Sequence, residues 1–202
     1  QQNECLYAFR RGDGGATLTS DFTVPADQSM YNDGNGNGII CGDFLYSPER
    51  QGYFNNNETP TCKLNNFTHS VSKLKVVVTL PAGGSNSLLQ ECLFCYGERV
   101  HNSSIAKQRL YMTASVSTGG VLTLKGSQTG QIKMYHRPNT NYFECYVIPG
   151  NTVQLADIGL LILKYNDKTY YYSRSSQATL TFVAGKVHTI TFTQLVDKAS
   201  QS

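Results

Sequence analysis

The last third of the chain consists of segments in which apolar and polar residues alternate. In residues 187–194 (VHTITFTQ), Ile190 and Phe192 alternate with threonines from Thr189 onward, which is the period of two expected of a strand with one buried face. A strand that closes such a sheet leaves an edge of unpaired backbone groups, and chains add to one another at such edges. The pattern therefore points to assembly rather than to catalysis.

Two hairpins are predicted in this region. The apolar runs 159–164 (GLLILK) and 169–172 (TYYY) flank a short turn at residues 165–168, which is the arrangement of a β-hairpin. We expect residues 179–193 to form a second, closing hairpin. Its predicted core residues are Leu180, Phe182, Val187, Ile190 and Phe192.

Further strand candidates recur about every ten residues along the rest of the chain. Turn signals rich in Gly, Pro and Asn separate them, and no segment carries a sustained helical stripe of apolar residues. The candidates are residues 5–9, 16–24, 39–46, 67–80, 87–100, 109–116, 120–125 and 142–148. We therefore predict an all-β fold, an antiparallel β-sandwich.

A polar, asparagine-rich stretch at residues 51–66 is the main break in composition, and we expect a domain boundary there. Residues 1–66 would form a reduced N-terminal β region, too short and rich in loops to hold a sizeable core alone. Residues 67–202 would form a C-terminal β-sandwich domain.

The composition excludes several classes of protein. Charged residues make up 15% of the chain, against about 25% in typical domains, and the net charge of +3 comes from scattered Lys and Arg. No basic patch for nucleic acid is evident, and no run of about 18 apolar residues predicts a membrane span. Abundant hydroxyl and amide side chains suit an extracellular β-protein.

Six cysteines are present: Cys5, Cys41, Cys62, Cys92, Cys95 and Cys145. In an oxidising compartment they could form up to three disulfides. The pair Cys92 and Cys95 has the spacing of a zinc or redox motif, but zinc would need a second such pair. A redox pair normally opens a helix, whereas this one lies in a strand-like segment. We expect structural disulfides or buried thiols.

Five segments occur in the order in which a known family carries similar ones. They are residues 42–47 (GDFLYS), 67–83 (FTHSVSKLKVVVTLPAG), 146–153 (YVIPGNTV), 160–173 (LLILKYNDKTYYYS) and 179–193 (TLTFVAGKVHTITFT). Each is partly generic, but the ordered series resembles the fimbrillin-like proteins of Bacteroides-type bacteria.

The resemblance implies transthyretin-like, Greek-key β-sandwich domains and export as a lipoprotein precursor with an anchor in the outer membrane. It also implies assembly with other subunits into surface fimbriae by β-strand addition, in which an extended segment pairs with an open sheet edge. In stalk subunits of this family, proteolytic removal of an N-terminal segment opens the groove. We expect an adhesive or structural subunit without catalytic residues, cofactor or metal.

The chain departs from the family pattern in two respects. The predicted N-terminal region, residues 1–66, is much shorter than a full domain of the family, and residues 195–202 after the last strand would make a poor donor strand. We therefore expect an accessory, tip or anchor subunit rather than a stalk subunit.

No catalytic constellation is evident in the sequence. His69, His101, His136 and His188 stand in separate segments, without a metalloprotease or hydrolase motif around them. We expect surface or cross-strand roles for these side chains.

Asp33, Asn35 and Asn37 stand where a calcium loop carries oxygen ligands, and Gly38 follows at the sixth position. The twelfth position should be a bidentate Glu but is Phe44. The alternative interpretation is a Gly/Asn loop in left-handed backbone conformations. Whether this loop binds calcium stays open from the sequence.

Two shorter motifs suggest contacts with other molecules. Arg11-Gly12-Asp13 matches the integrin-binding tripeptide, although such tripeptides are frequent by chance. The cluster Tyr170, Tyr171 and Tyr172 alternates across a predicted strand, so one or two rings should be exposed and available for contacts.

Two other interpretations compete with the fimbrial one. The first is a non-polymerising surface lipoprotein that binds carbohydrate or host protein. The second is a eukaryotic, secreted, disulfide-rich glycoprotein, since Asn57, Asn66 and Asn102 lie in glycosylation sequons.

Overall fold

The computed structural model describes residues 2–54, 64–96, 108–156, 159–172, 174 and 178–197. The first strands in chain order are β1 (Gln2–Arg11), β2 (Phe22–Thr23), β3 (Phe44–Phe54), β4 (Thr68–His69), β5 (Ser72–Val78), β6 (Leu89–Phe94), β7 (Thr113–Val116) and β8 (Leu122–Lys125). The later ones are β9 (Ile132–Lys133), β10 (Tyr135–His136), β11 (Tyr142–Val147), β12 (Thr152–Gln154), β13 (Leu161–Tyr165), β14 (Lys168–Tyr171), β15 (Thr179–Thr181) and β16 (Val187–Phe192). Short 3-10 helices lie at Ile39–Gly42 and Asn86–Leu88, and helix α1 is Gln194–Asp197.

Two four-stranded sheets enclose the larger core. One has the order β10-β11-β5-β16 and the other β14-β13-β6-β9. Alternate residues of β5 point inward: Leu74, Val76 and Val78 are buried, and Lys75 and Val77 between them are partly exposed. The core between the sheets also contains Phe143 and Phe192. The prediction of an all-β sandwich is therefore confirmed.

A second, smaller core joins the N-terminal segment to the rest of the chain. Phe22 and Phe44 pack edge-to-face with ring centroids 5.2 Å apart, and the same cluster includes Ala114, Leu122 and Ile148. Sheets β1-β3-β4 and β2-β7-β8 surround it. The cluster draws residues from both sides of the predicted boundary near residue 66, and the division into two domains stays a prediction.

The hairpin predicted around residues 165–168 forms between β13 and β14, with Tyr165 opposite Lys168. Asn166 and Asp167 both have positive φ, 47° and 60°, which is the backbone of the type I′ turn that matches the twist of a two-residue hairpin. The strand candidates at residues 109–116 and 120–125 also pair as a hairpin, between β7 and β8. Local turn chemistry and alternation decided both.

The prediction of a closing hairpin at residues 179–193 is wrong. β15 pairs with β12, and β16 pairs with β5 in parallel. The chain does turn at residues 183–186, where the Lys186 N–H donates to the Val183 carbonyl. The strands on either side of this turn nevertheless join different sheets, which sequence alternation cannot reveal. The register also makes one strand pair of the sandwich parallel rather than antiparallel.

One predicted core residue, Val187, lies on the opposite face of its strand from the core. Ile190 and Phe192 are buried, and Phe182 is buried as well, whereas Val187 is 59% exposed. Successive side chains of a strand point to opposite faces, so Val187 shares the outer face with Thr189 and cannot share the inner face with Ile190. Leu180 is half-buried and packs against the larger core.

Two buried amide side chains take the place of missing strand partners. Asn151 accepts a hydrogen bond from the Tyr111 N–H at 2.8 Å and donates to the carbonyls of Tyr111 and Ile148. Gln28 bonds in the same manner to the N–H and carbonyl of Tyr146. Each amide satisfies backbone groups that would otherwise be buried without partners.

Replacing Asn151 by Asp should lower the free energy of unfolding by about 1–3 kcal/mol, because the carboxylate cannot donate to the Tyr111 and Ile148 carbonyls. The matched control is Gln154→Glu on the exposed face of β12, which should change stability by less than about 0.5 kcal/mol. Urea unfolding of both variants measures the difference. Equal stability of the two variants would show that Asn151 is not a structural bridge.

Within the described residues, no helix is long and apolar enough to cross a membrane.

Candidate functional site at the edge of the last strand

Strand β16 lies at the end of its sheet, with β5 on one side. The carbonyls of Lys186 and Phe192 accept hydrogen bonds from residues in and next to β5. Because peptide groups alternate in direction along a strand, the N–H and C=O groups of Val187, Thr189 and Thr191 point to the other edge. In the part of the chain that the structure describes, no strand pairs with that edge.

A groove with a volume of about 410 Å³ adjoins this edge. Its apolar lining comes from Leu155, Tyr172, Leu180 and Ile190, and the threonines of β16 form the other wall, with Arg174 as its charged residue. An open strand edge beside a partly apolar groove can accept an extended peptide, whose backbone pairs with the strand while alternate side chains enter the groove.

A second sheet edge is covered by the chain itself. Strand β1 pairs antiparallel with β3 over most of its length, from Gln2 opposite Phe54 to Arg11 opposite Phe44. β1 is the outer strand of this sheet, so its removal would leave the corresponding edge of β3 without a partner.

The tripeptide Arg11-Gly12-Asp13 is a structural element. The Arg11 side chain is 1% exposed and forms an ion pair with Asp13 at 2.7 Å. It also donates hydrogen bonds to the carbonyls of Thr17 and Ser20. Burial opposes ionisation of Asp13, but the hydrogen bonds from Arg11 and Gly15 outweigh it and lower the pKa of that carboxyl. A receptor cannot reach this arginine, so the integrin interpretation is wrong.

In the candidate calcium loop, Asp33 uses its carboxylate for hydrogen bonds within the loop. Asp33 accepts from the backbone N–H groups of Asn35 and Asn37 and from the Asn37 amide. These bonds lower the pKa of Asp33. Phe44, at the twelfth position, is fully buried in the smaller core, and Asp43 pairs with His69 at 2.7 Å. These placements match the interpretation as a Gly/Asn loop.

The cysteines are buried thiols where the structure describes their side chains. Cys41, Cys92 and Cys145 carry free thiols, and Cys95, which closes the CxxC segment that begins at Cys92, is buried. Burial raises the pKa of the Cys92 and Cys145 thiols, which disfavours the reactive thiolate. With three of six thiols free, three disulfides do not form. The result argues against a disulfide-rich secreted glycoprotein. Cys62 lies outside the described residues.

The histidines serve packing and hydrogen bonding. His69 pairs with Asp43, and His136 bonds to the Thr140 carbonyl at 2.8 Å. His188 accepts from the Val183 N–H at 3.1 Å and packs edge-to-face on Phe182. Burial lowers the pKa of His188, which keeps the ring neutral as this acceptor role requires. His101 lies outside the described residues.

Among the described residues, no group of three or more His, Cys, Asp or Glu side chains is placed to hold a metal ion. Of the three tyrosines in the predicted aromatic cluster, Tyr172 is buried, packs on Phe192 and lines the groove, while Tyr170 and Tyr171 are half-buried. The groove itself was not predictable, because residues 155, 172, 180 and 190 come together only through the sheet pairing. The one sequence signal was the final alternating strand.

Comparison with solved structures shows the same fold in Bacteroides proteins. A candidate cell adhesion protein from Bacteroides uniformis ATCC 8492 superposes with a TM-score of 0.56 at 18% identity. One from Bacteroides ovatus ATCC 8483 gives a TM-score of 0.57 at 16% identity. These alignments cover 94% and 96% of the present chain but only 68% and 64% of the other two. At such identities the likeness establishes the fold alone.

Comparison of the sequence with curated proteins gives no match. Comparison with family models gives one over almost the whole length. The model described as fimbrillin-like matches residues 4–200, which include the open edge of β16, the groove beside it and the covered edge of β3. The chain therefore belongs to the fimbrillin-like family.

Proposed function

We propose that this protein is a structural, adhesive subunit of cell-surface fimbriae and that it joins other subunits by β-strand addition. The observation that carries the proposal is the open edge of β16 beside its groove. The family is one of structural rather than enzymatic proteins, and the buried thiols and packed histidines supply no reactive constellation among the described residues.

The β16 edge offers backbone groups at three residues, Val187, Thr189 and Thr191. An added strand would form a ladder there, each hydrogen bond contributing about 0.5–1.5 kcal/mol net. Side chains at every second position would meet Leu155, Tyr172 and Leu180 in the groove, and their fit would set which strand is accepted.

The position in the fibre and the attachment to the cell belong to the proposal as well. An accessory, tip or anchor subunit needs either an accepting edge or a donated strand, whereas a stalk subunit needs both. The accepting edge of β16 would be sufficient for an accessory, tip or anchor subunit, whereas a stalk subunit would also have to donate a strand. The proposed location is the outer surface, through a lipid anchor carried by the precursor in the outer membrane. We also propose that residues 1–66 and residues 67–202 form two separate regions, a reduced N-terminal β region and a C-terminal β-sandwich domain.

The test is assembly before and after cleavage between Arg10 and Arg11, where the Arg10 side chain is exposed. Native mass spectrometry and electron microscopy of the intact and cleaved protein should show ladders of oligomers in at least one state. Monomers in both states would overturn strand addition and leave a non-polymerising surface protein that binds carbohydrate or host protein.

Replacing Thr189 by Pro tests whether β16 is the edge that accepts the added strand. We expect Thr189→Pro to remain folded but to lose the ladders, because the N–H that it removes points away from β5. Thr189→Val, which keeps that N–H, should assemble normally. Circular dichroism checks folding of both. Ladders that appear only after cleavage and persist in Thr189→Pro would place the accepting edge on β3 instead.

A further inference from the structure

A second surface, separate from the groove, lies on the outer face of β5 and β11. A small cavity of about 70 Å³ opens there between His69, Lys73, Tyr146, Lys186 and the exposed Val187. Its volume matches about two water molecules, which is the size of a carboxylate rather than of a whole sugar. We call this cavity and the residues around it the seam face, because the N-terminal segment packs against the main sheet here.

On the seam face the carboxylates are largely buried, whereas the cations Arg137 and Lys186 are exposed. The Glu144 side chain is 7% exposed and pairs with Arg137 at 2.9 Å and with Lys73 at 3.9 Å. Asp43 is largely buried against His69. Arg137, in contrast, is 51% exposed, and Lys186 is exposed at the rim of the cavity.

Around the cavity, cations also outnumber carboxylates. Lys73, Lys75, Arg137 and Lys186 face two carboxylates there, Glu144 and Asp43. Since Glu144 and Asp43 are largely buried while Arg137 and Lys186 are exposed, the charge presented to solvent around the cavity is positive.

Aromatic rings extend along the same face. Tyr146 lies between His69, whose ring is stacked at 6.0 Å, and the Lys73 ammonium at 4.8 Å. The next tyrosine on β11, Tyr142, lies under the Lys75 ammonium at 4.0 Å. Burial, and then the nearby carboxylates Asp43 and Glu144, raise the pKa of Tyr146, so its hydroxyl stays neutral.

The far end of the face is open to solvent. Tyr31 is 63% exposed and packs at a tilt on Tyr135, with ring centroids 6.4 Å apart. An exposed tyrosine such as Tyr31 provides both flat apolar surface and a hydrogen-bond donor.

From this arrangement we infer that the seam face binds an acidic glycan, with a sugar carboxylate in the cavity between Lys73 and Lys186 and a sugar ring lying on the exposed ring of Tyr31. Charge-assisted hydrogen bonds from the lysines would hold the carboxylate. Lysines flank the cavity at the centre of this surface, whereas the centre of a protein–protein interface is depleted of charged residues. A glycan therefore fits this surface better than an acidic protein does.

Binding is tested by calorimetry with oligogalacturonate, its fully methyl-esterified counterpart and poly-glutamate as probes. We expect oligogalacturonate to bind, with an affinity that falls as salt rises, and the ester to bind at least about tenfold more weakly because it lacks the charge. Lys186→Gln should weaken oligogalacturonate binding by about tenfold, and Tyr31→Ala should weaken it as well.

The matched control is Lys164→Gln, which removes an exposed lysine from β13 on the opposite sheet and should leave the affinity unchanged. Equal losses in Lys164→Gln and Lys186→Gln would reduce the effect to net charge and overturn the site. Poly-glutamate binding as tightly as oligogalacturonate would favour an acidic protein partner and overturn the glycan assignment. The glycan assignment would also be overturned if wild-type protein with an unchanged circular dichroism spectrum bound none of the probes.

Discussion

Replacing Phe192 by Asp is expected to unfold the sandwich. The ring is fully buried and packs on Tyr172 at 6.1 Å, so its loss alone should cost about 3–5 kcal/mol. Burying a carboxylate without a partner adds several kcal/mol more. The sum approaches the whole stability of a typical domain, about 5–15 kcal/mol. Circular dichroism and urea unfolding of the purified variant measure the outcome.

The control for Phe192→Asp is Thr191→Asp, one residue earlier on the outer face of the same strand. This variant should fold and lose less than about 1 kcal/mol. A folded Phe192→Asp protein, or an unfolded Thr191→Asp protein, would mean that β16 lies in the opposite register, because a shift by one residue exchanges the two faces.

Replacing Arg11 by Ala should lower the free energy of unfolding by about 3–5 kcal/mol. The change leaves Asp13 without its buried ion-pair partner and removes the donor to the Thr17 and Ser20 carbonyls. It also removes the cation over the rings of Phe22 and Phe44, at 5.7 and 5.8 Å. Arg10→Ala, which removes the exposed neighbour, should change stability by less than about 0.5 kcal/mol. Equal losses would mean that Arg11 is not the anchor of this loop.

The contribution of Arg11 to the free energy of unfolding should decrease in acid. The folded pKa of Asp13 is lowered from its ordinary value of 3.8, so the ion pair contributes fully above about pH 4 and is lost as pH falls through the folded pKa. The stability difference between wild type and Arg11→Ala should therefore shrink in acid. A difference that stays constant from pH 7 to pH 2.5 would show that packing, and not the ion pair, dominates.

Much of the fold was accessible from local patterns. The turn at Asn166 and Asp167 and the buried residues Ile190 and Phe192 follow from turn chemistry and from a period of two. Both are properties of a few neighbouring residues, which is why the sequence alone was sufficient for them.

The errors concern relations between distant parts of the chain. The parallel partner of β16 is β5, more than a hundred positions earlier, and alternation carries no information about partner or direction. The burial of Arg11 was missed because several of its acceptors, such as the Thr17 carbonyl, are backbone atoms brought close by the loop. The groove and the seam face likewise arise from pairing, and the isolated appearance of Lys73 and Lys186 in the sequence gave no sign of either surface.

The parallel pairing of β16 with β5 also determines when, during synthesis, the main sheet can be completed. The inner strand β5 has β11 and β16 as neighbours, and both are synthesised later. The main sheet therefore cannot be completed until residue 192 is available, and closing so long a loop makes folding slow. A chain that must cross a membrane before it folds gains from this delay, because its principal sheet stays incomplete while the chain is still emerging.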